Sequence, residues 1–375
     1  MKHRKIRAII SGGGTGGHIF PALSIADKLK ELNPETEILF VGADGRMEME
    51  RVPAAGYRIV GLPVAGLMRK LTLSNLALPF KVIKSVRMAK KVIREFRPDI
   101  AIGVGGYASA PLLWAAGRMG VPTLIQEQNG FAGLTNKILG KKAKSICVAY
   151  EGMERFFPAD RIVLTGNPIR KEIVPADEAM KAEALEFYGL DPQKKHLFIV
   201  GGSLGSRTLN EAMQKWSTDG CPGGENLQGL WQCGRYYKAG VDAFMEQAKA
   251  EGKKVGGIIH SDFIKRMDLA YAAADVVVTR SGASSISELC AAHKASIFVP
   301  SPNVTEDHQT HNAMALVRKD AGMIVTDAEA VQKLMKTACE LMENQEKIAL
   351  MEQNIAALAK TDAAMTIAEE VYKYV

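Results

Sequence analysis

The stretch RAIISGGGTGGHIF, residues 7–20, joins a short apolar run to a glycine-rich loop and then to the start of a helical pattern. The same succession returns in HLFIVGGSLGSRTLN, residues 196–210. A buried strand followed by a glycine loop that opens a helix is typical of parallel α/β folds. Such a loop has no Cβ atoms, so its backbone N–H groups and the positive end of the helix dipole can approach an anion closely. The two stretches therefore predict two similar halves, each with a ligand-binding loop.

Short apolar runs alternate with helical-period segments along the whole chain. They are RAII, EILFV, IAIGV, TLIQE and SICVA in the first half, and HLFIV, VGGII, VVVTR and ASIFVP in the second. This alternation predicts an α/β protein of two Rossmann-like, doubly wound domains with parallel sheets that face a central cleft. The Pro- and Gly-rich segment near 166–177 marks the join. We expect domains at 1–165 and 166–357, with a C-terminal helix at about 358–375 that returns to the first domain.

Composition limits the classes of protein and the cellular compartments that the chain fits. The 375 residues are 47% hydrophobic and 24% charged, with a net charge of +7, as in ordinary globular proteins. The five cysteines form no CxxC pair, which favours reduced thiols. The apolar run IRAII is shorter than the ~7 residues of a signal-peptide core, and no run reaches the ~18 residues of a membrane span. We therefore expect a cytoplasmic protein whose membrane contact is peripheral.

The first glycine loop resembles two nucleotide motifs without matching either. Gly12, Gly14 and Gly17 satisfy GxGxxG, but the only acidic residue near the end of the second strand is Asp44, which comes late. No Gly-Lys-Ser/Thr closes the loop, which excludes a Walker A motif. A third glycine loop, residues 103–111, also follows a strand. Three such loops at strand ends favour binding of a phosphorylated ligand over binding of NAD.

Several polar residues each have a structural and a functional interpretation. His18 either packs beside the helix start or accepts a proton as a neutral imidazole. The residues from Glu127 to Asn129 form either a solvated loop or a site for sugar hydroxyl and acetamido groups. Glu288 is either a surface residue or an acceptor for a ribose diol. His308 and His311 have the spacing of two metal ligands, but no third ligand or DxD motif accompanies them, so no metal is predicted.

Residues 66–97 carry many bases and a single acid, Glu95. On a helix, Lys84, Arg87 and Lys91 share one face, opposite an apolar face. This pattern fits a solvated amphipathic helix, or a surface that enters a lipid head-group layer together with the preceding LSNLALPF. Nucleic acid is a weaker alternative because no aromatic residues interleave the charges.

Taken together, the motifs resemble the MurG glycosyltransferases over nearly the whole chain. The motifs that carry the resemblance are GGGTGGH (12–18), GVGGYAS (103–109), EQNGFAGLTNK (127–137), GNPIR (166–170), GGSLGSR (201–207), RSGASSISE (280–288) and PNVTEDHQTHNA (302–313). The resemblance implies a GT-B fold and transfer of N-acetylglucosamine (GlcNAc) from UDP-GlcNAc to undecaprenyl-diphospho-muramoyl-pentapeptide (lipid I), which gives lipid II for peptidoglycan. The chain departs from the family pattern at His293, Ala295 and Cys233, which puts only local loop shape in doubt.

The resemblance also implies roles for individual residues. Glu288 would hold the ribose, Ile264 the uracil, and Arg170 and Ser203 the donor diphosphate. The full donor set is Thr15, Gly16, Gly17, Asn129, Arg170, Ser203, Ile264, Ala283, Glu288, His308 and Gln309. The acceptor set is Gly13, Gly14, His18, Gly105, Gly106 and Tyr107. The membrane patch is Leu76, Leu78, Phe80, Lys81, Lys84, Arg87 and Lys91.

The implied reaction is a single displacement with inversion, in which the 4-hydroxyl of N-acetylmuramic acid (MurNAc) attacks the anomeric carbon. His18 is the predicted base or orients it, and Glu127 is the rival. No cofactor or metal is expected, since helix N-termini, Ser203 and Arg170 stabilise the leaving UDP. The expected partners are an anionic membrane surface on the cytoplasmic side and other cell-wall synthesis proteins. The alternatives are a UDP-GlcNAc epimerase, a diacylglycerol glycosyltransferase, or a sugar-nucleotide-binding protein without turnover.

Overall fold

A computed structural model describes residues 3–64, 78–202, 204–253, 257–304 and 307–375, and for residues 78–80 it describes the backbone only. The chain divides into two compact units. The N-terminal unit consists of Met1–Arg170 and Lys360–Val375, and the C-terminal unit is Lys171–Ala359. Each unit contains one parallel sheet with helices on both faces, so the predicted α/β class with two Rossmann-like domains is confirmed.

The sheet of the N-terminal unit has the strand order β3-β2-β1-β4-β5-β6-β7. Its strands are β1 (Arg7–Ser11), β2 (Glu37–Ala43), β3 (Arg58–Leu62), β4 (Ile100–Gly103), β5 (Thr123–Glu127), β6 (Ser145–Val148) and β7 (Ile162–Leu164). The helices of this unit are α1 (Gly16–Leu32), α2 (Glu48–Ala54), α3 (Leu78–Phe96), α4 (Ser109–Arg118), α5 (Leu134–Gly140) and the last helix of the chain, α14 (Ala363–Tyr372). The strand order reverses between β1 and β4, where open α/β sheets bind their ligands.

Two apolar layers cover this sheet. On one face, Ile25 and Leu29 of α1 pack with Ile367 and Val371 of α14. On the other face, α3 and α4 contribute residues such as Ile93 to a second cluster. The middle strands are buried on both sides, which explains why RAII reads as a continuous apolar run rather than an alternating one.

The sheet of the C-terminal unit has the order β10-β9-β8-β11-β12-β13. Its strands are β8 (Lys195–Val200), β9 (Leu227–Gln232), β10 (Ile258–Ser261), β11 (Val276–Thr279), β12 (Ser296–Phe298) and β13 (Met323–Ile324). Its helices are α6 (Glu178–Tyr188), α7 (Arg207–Thr218), α8 (Lys238–Ala250), α9 (Met267–Ala273), α10 (Ala283–Ala291), α11 (His308–Val317), α12 (Asp327–Glu343) and α13 (Gln345–Ala356). Here the order reverses between β8 and β11, so the second glycine loop leaves the sheet at that point.

Local chemistry sets several element ends. The Asp177 side chain accepts a hydrogen bond from Met180 N and starts α6, and Gly189 ends this helix with a φ of 65°. His293, one of the departures from the family pattern, has a φ of 54°, a region that favours glycine. All five cysteines are buried free thiols, as the sequence predicts. Within the described part of the chain, no helix is both long enough and apolar enough to cross a bilayer.

Candidate functional site

In the N-terminal unit, the first and third glycine loops meet at the carboxyl ends of β1 and β4. Ser11 and Gly103, the last residues of these strands, are register partners, and Val104 N donates to Ser11 O at 2.7 Å. A Cβ atom at Gly106 would lie 2.5 Å from Gly13 O. The backbones of the two loops therefore approach more closely than any side chain at this position allows, which brings the predicted acceptor residues together.

Ser109 holds the two loops in this arrangement. Its buried hydroxyl lies 3.0 Å from Ser11 O and 2.8 Å from Gly105 O. Tyr107, on the same loop, has 52% of its side chain exposed. Ser109 therefore holds the third loop in place, and the loop exposes the Tyr107 ring to solvent.

His18 lies in the first turn of α1, and its ring has a defined orientation. Nδ1 is 3.0 Å from Gly13 O and 3.4 Å from Thr15 Oγ1. A carbonyl oxygen only accepts, so Nδ1 carries the proton and Nε2 is the basic nitrogen. A Cβ atom at Gly105 would lie 2.6 Å from Cδ2 and 2.7 Å from Nε2, so the ring rests on the backbone of the third loop. These contacts fix the orientation of the imidazole ring.

A buried carboxylate that the sequence patterns did not reveal lies beneath the first loop. Glu48, the first residue of α2, is 1% exposed. Its Oε2 accepts from Gly14 N at 2.8 Å and its Oε1 accepts from Ala43 N at 3.0 Å. A Cβ atom at Gly13 would overlap Oε1. The acidic residue that contacts the first glycine loop is therefore Glu48 rather than Asp44.

Glu127 ends β5, is 2% exposed, and accepts hydrogen bonds from its own loop. Oε1 lies 3.1 Å from Asn129 N and 3.3 Å from Asn129 Nδ2. Oε2 lies 3.1 Å from Gly133 N and 2.9 Å from Asn136 Nδ2. The loop is an ordered turn around one carboxylate and not a solvated segment, and Asn129 is fixed by it.

A buried amide network continues from this turn to the end of the N-terminal unit. Gln126 Nε2 donates to Asn167 Oδ1 at 2.9 Å, and Asn167 Nδ2 donates to Gln128 O at 3.0 Å. Gln128 Nε2 donates to Val104 O at 2.7 Å and also contacts Gln126 Oε1. The network positions the third loop and the GNPIR segment. Arg170, in that segment, places its guanidinium 5.2 Å from the ring centre of Phe20 on α1.

In the C-terminal unit, the second glycine loop packs against the loop after β9. Gly205 and Gly234 have φ angles of 84° and 88°, and a Cβ atom at either one would overlap the backbone of the other loop. Asn210 supports this contact because its Nδ2 donates to Cys233 O and its Oδ1 accepts from Trp231 Nε1, both at 2.9 Å. Ser206 caps α7 by accepting from Leu209 N at 3.4 Å. The predicted Ser203 lies outside the described residues.

Glu288 is 6% exposed, so it is not an ordinary surface glutamate. It lies on α10, whose first residue is the predicted Ala283, and its Oε2 accepts from Tyr271 Oη at 3.2 Å. Arg280 fixes the neighbouring loop: its Nη1 lies 3.0 Å from Val299 O and 2.5 Å from Asp327 Oδ1. The carboxyl end of β11 is therefore a buried polar site whose carboxylate already has a hydroxyl partner.

The other predicted donor residues are divided between the two units. His308 and Gln309 begin α11, and Gln309 Oε1 accepts from Ser301 N at 2.9 Å. Ile264 follows β10 and is 6% exposed. Thr15, Gly16 and Gly17 lie instead in the N-terminal unit, at the start of α1. Within the described ranges, no three His, Cys, Asp or Glu side chains form a group that would hold a metal.

The basic face predicted for residues 66–97 lies on α3. Lys81, Lys84, Arg87 and Lys91 are exposed, while the opposite face buries residues such as Ile93. Leu76 lies outside the described residues, and of Leu78 and Phe80 only the backbone is described.

The helices beside α3 expose apolar side chains that the sequence patterns did not single out. α4 packs against α3, and α5 packs against α4. Trp114 on α4 is 42% exposed, and Leu134 and Ile138 on α5 are 67% and 59% exposed. Lys90 Nζ and the Arg118 guanidinium lie 5.7 and 5.1 Å from the centre of the Trp114 ring. We call α3, α4 and α5 with these side chains the α3–α5 surface.

Comparison with known proteins identifies the family of the chain. The model of the glycosyltransferase family 28 N-terminal domain matches residues 8–148, and that of the family 28 C-terminal domain matches residues 196–367. A relative from Parabacteroides distasonis is 54% identical over 99% of both chains, and one from Bacteroides fragilis is 53% identical over 98% of this chain and 95% of its own. Both are named UDP-N-acetylglucosamine--N-acetylmuramyl-(pentapeptide) pyrophosphoryl-undecaprenol N-acetylglucosamine transferase.

Solved structures show the same fold. The crystal structure of Acinetobacter baumannii MurG aligns with a TM-score of 0.75 and 27% identity, over 99% of this chain and 100% of that one. A UDP-N-acetylglucosamine 2-epimerase aligns with a TM-score of 0.67 over 100% of this chain and 97% of its own, at 13% identity. The second likeness shows the fold alone.

Proposed function

The chain belongs to the MurG family within glycosyltransferase family 28, and from that premise we propose how its residues divide the work of the reaction. The reaction is transfer of GlcNAc from UDP-GlcNAc to lipid I, which gives lipid II for peptidoglycan. We assign the acceptor to the N-terminal unit and the UDP moiety to the C-terminal unit. The orientation of the His18 ring carries this proposal, because it supplies a base beside the loops assigned to the acceptor.

The 4-hydroxyl of MurNAc attacks the anomeric carbon of the donor. The C–O bond to UDP breaks as the new C–O bond forms on the opposite face, so the α-linkage becomes a β-1,4 linkage. His18 Nε2 accepts the hydroxyl proton as the nucleophile attacks. Nδ1 keeps its proton and continues to donate it to Gly13 O, so the imidazolium forms without reorientation of the ring.

Glu127 is the weaker candidate for the base. Four donors already surround its carboxylate, and each of them stabilises a residue of the 128–136 turn. Proton uptake by this carboxylate would break at least one of these hydrogen bonds. We therefore assign Glu127 to positioning of Asn129, which we place on the GlcNAc moiety.

The His18 assignment predicts a large effect on kcat. His18→Ala should lower kcat by about 10²–10⁴-fold and leave KM for UDP-GlcNAc within a few-fold, because only proton transfer is lost. Added imidazole should restore part of the activity. The matched control is His3→Ala, which removes a histidine of the same unit whose ring centre lies 4.4 Å from that of Tyr372. Near-normal turnover of His18→Ala at saturating acceptor would refute the assignment.

On the donor side, the leaving UDP needs charge stabilisation. We assign this to the N-terminus of α7 with the second glycine loop, including Ser203, and to Arg170. Helix N-termini and a guanidinium stabilise a diphosphate directly, so the proposed reaction needs no metal. Glu288 accepts from the ribose hydroxyls, Ile264 contacts the uracil, Ala283 lies beside the UDP moiety, and His308 and Gln309 contact the sugar.

On the acceptor side, Gly14 N already donates to Glu48. We therefore assign recognition of the lipid I diphosphate to the rest of the first loop and to the start of α1, whose first turn holds no acidic residue. Gly105, Gly106 and Tyr107 form the opposite wall. We assign Thr15, Gly16 and Gly17 to binding of the donor.

We further propose that the α3–α5 surface binds the cytoplasmic face of the membrane. Exposed bases on α3 attract anionic head groups, and Trp114, Leu134 and Ile138 enter the interfacial layer. This surface lies on the unit that we assign to the lipid-linked acceptor. Other cell-wall synthesis proteins are further candidate partners of the protein at that membrane.

Charge reversal tests this membrane proposal. The triple variant Lys84→Glu, Arg87→Glu and Lys91→Glu should bind anionic vesicles at least 10-fold more weakly at low salt, since each base near the surface contributes about 1 kcal/mol. The difference should shrink as salt rises. The control reverses the same number of charges at exposed lysines of the C-terminal unit, namely Lys319, Lys336 and Lys347. Equal vesicle sedimentation of the two variants would contradict the proposal.

A further inference from the structure

The peptide unit between Gly13 and Gly14 is held at both of its polar ends. Its N–H, which belongs to Gly14, donates to the buried Oε2 of Glu48 at 2.8 Å. Its C=O, which belongs to Gly13, accepts from His18 Nδ1 at 3.0 Å. One amide plane therefore connects a carboxylate to the imidazole that we assign as the base.

The surrounding glycines make room for this connection. A Cβ atom at Gly13 would overlap Glu48 Oε1, and one at Gly42 would lie 2.6 Å from Glu48 Cγ. The carboxylate also accepts from Ala43 N at 3.0 Å, so both of its oxygens act as acceptors, as those of an ionised carboxylate do. A buried carboxylate costs more free energy than a buried amide of the same shape. Two backbone N–H donors, one on each oxygen, offset this cost, whereas the amide of glutamine has one acceptor oxygen and would satisfy only one of them.

We propose that Glu48 is a positioning residue that acts on His18 through the Gly13–Gly14 peptide. An anion on the N–H end polarises the amide and makes its carbonyl oxygen a stronger acceptor, as in other hydrogen-bond chains. The stronger carbonyl holds the Nδ1–H tautomer and stabilises the imidazolium that forms when Nε2 takes up a proton. A directly bonded carboxylate does the same for histidine in hydrolase triads. Here a peptide unit stands between the two groups.

This inference rests on the proposed role of His18, and a double-mutant cycle separates the two claims. The variants are Glu48→Gln, His18→Ala and the double variant, assayed for kcat and for KM of UDP-GlcNAc. We expect Glu48→Gln to lower kcat about 10–100-fold with KM changed less than about two-fold, and to have no further effect in the His18→Ala background. The control is Glu50→Gln, an exposed residue of the same helix.

Each outcome has a distinct meaning. If His18→Ala keeps near-normal turnover, the proposed function fails before the inference is tested. If His18→Ala is impaired and Glu48→Gln lowers the residual rate by the same factor as in the wild type, Glu48 acts elsewhere and the inference is overturned. An unchanged kcat in Glu48→Gln also overturns it.

A measurement on the unmodified protein covers the case in which Glu48→Gln does not fold. Nitrogen-15 NMR of histidine-labelled wild-type protein at alkaline pH should show Nδ1 of His18 protonated and its Nε2 unprotonated. Glycine labelling should show the Gly14 amide proton far downfield, as expected for a short hydrogen bond to a carboxylate. An Nε2–H tautomer for His18, or a Gly14 amide at an ordinary shift, overturns the inference.

Discussion

The first and second glycine loops have similar sequences, and each follows an inner strand beside which the strand order of its sheet reverses, yet they differ in what surrounds them. The first loop lies over the Glu48 carboxylate and carries His18 in the first turn of its helix. The second loop contacts neutral groups: Gln232 Nε2 lies 3.3 Å from Gly202 O, and the backbone of Cys233 and Gly234 packs on Gly205. We expect the negative charge beneath the first loop to stabilise a protonated His18, and the neutral groups around the second loop to suit the donor diphosphate.

The difference shows that a glycine loop can serve two kinds of chemistry. In the second loop, glycine permits one backbone to lie on another and leaves a helix start that suits an anion. In the first loop, Gly13 makes room for a carboxylate, and the peptide after it orients a side chain. Substitutions in and around the two loops test this contrast.

The largest expected effect concerns the packing of the second loop. Gly234→Ala should lower the free energy of unfolding of the C-terminal unit by about 2–4 kcal/mol, because its Cβ meets the backbone of Leu204 and Gly205 at a positive φ. Gly14→Ala in the first loop should cost only about 1 kcal/mol, since its φ is also positive but nothing lies within 4 Å. Urea unfolding of both variants measures the difference.

Gly240→Ala serves as the control for this pair. Gly240 lies in α8 with open space around its Cβ position, so alanine there should be neutral or stabilising by up to about 1 kcal/mol. Equal losses in Gly234→Ala and Gly14→Ala would show that conformational strain, and not loop-on-loop packing, decides the requirement for glycine.

The next effect concerns charge at the second loop. Leu204 is 50% exposed on that loop, and Leu204→Asp should raise KM for UDP-GlcNAc about 10-fold. A carboxylate about 6 Å from a phosphate charge costs roughly 1–3 kcal/mol at an intermediate dielectric constant. Leu204→Asn introduces a side chain of the same shape as aspartate but without its charge, and should leave KM for UDP-GlcNAc within about two-fold. A similar rise in KM for both variants would assign the effect to lost contact and not to repulsion of the diphosphate.

The smallest effect concerns the strand before each loop. β8 contains the buried His196, whereas β1 has the apolar Ala8 near its start. Burial lowers the pKa of His196, and Asp275 at 3.7 Å opposes this only in part. A lowered pKa means that below about pH 6.5 the unfolded chain binds a proton that the folded protein does not. The stability of the C-terminal unit should therefore fall as pH decreases from about 7 towards 5, by at most about 1.4 kcal/mol per pH unit.

Urea unfolding of the wild type and of His196→Gln at about pH 7.5 and about pH 5.5 checks this expectation. Glutamine keeps a donor for Asp191 O, which lies 3.1 Å from His196 Nε2, and has no titration in this range. The loss of stability at the lower pH should be smaller in the variant. An equal loss in both proteins would assign the pH dependence to other groups.

Much of the fold could be predicted from local patterns. Continuous apolar runs predict strands such as β1 and β11, because both faces of these strands are buried. The patterns do not predict β3, β7, β9 and β13. RIVGL in β3 and LQGLWQ in β9 mix glycine and polar residues with apolar ones, and IVL in β7 and MI in β13 are too short to show a period. Those strands lie in the sheet because neighbouring strands pair with them.

Periodicity, missing Cβ atoms and motif order are properties of the linear chain, and they are enough to predict the α/β class, the three glycine loops and the family. The sequence also singled out His18, Glu127 and Glu288 as residue types suited to the reaction. What each of these residues contacts depends on the tertiary structure. Glu48 lies 34 residues from Gly14 along the chain and reaches it because β2 pairs with β1. Glu127 accepts from four donors because residues 129–136 of the following loop turn towards its carboxylate. Strand pairing and loop closure set such contacts, and no short stretch of sequence encodes them.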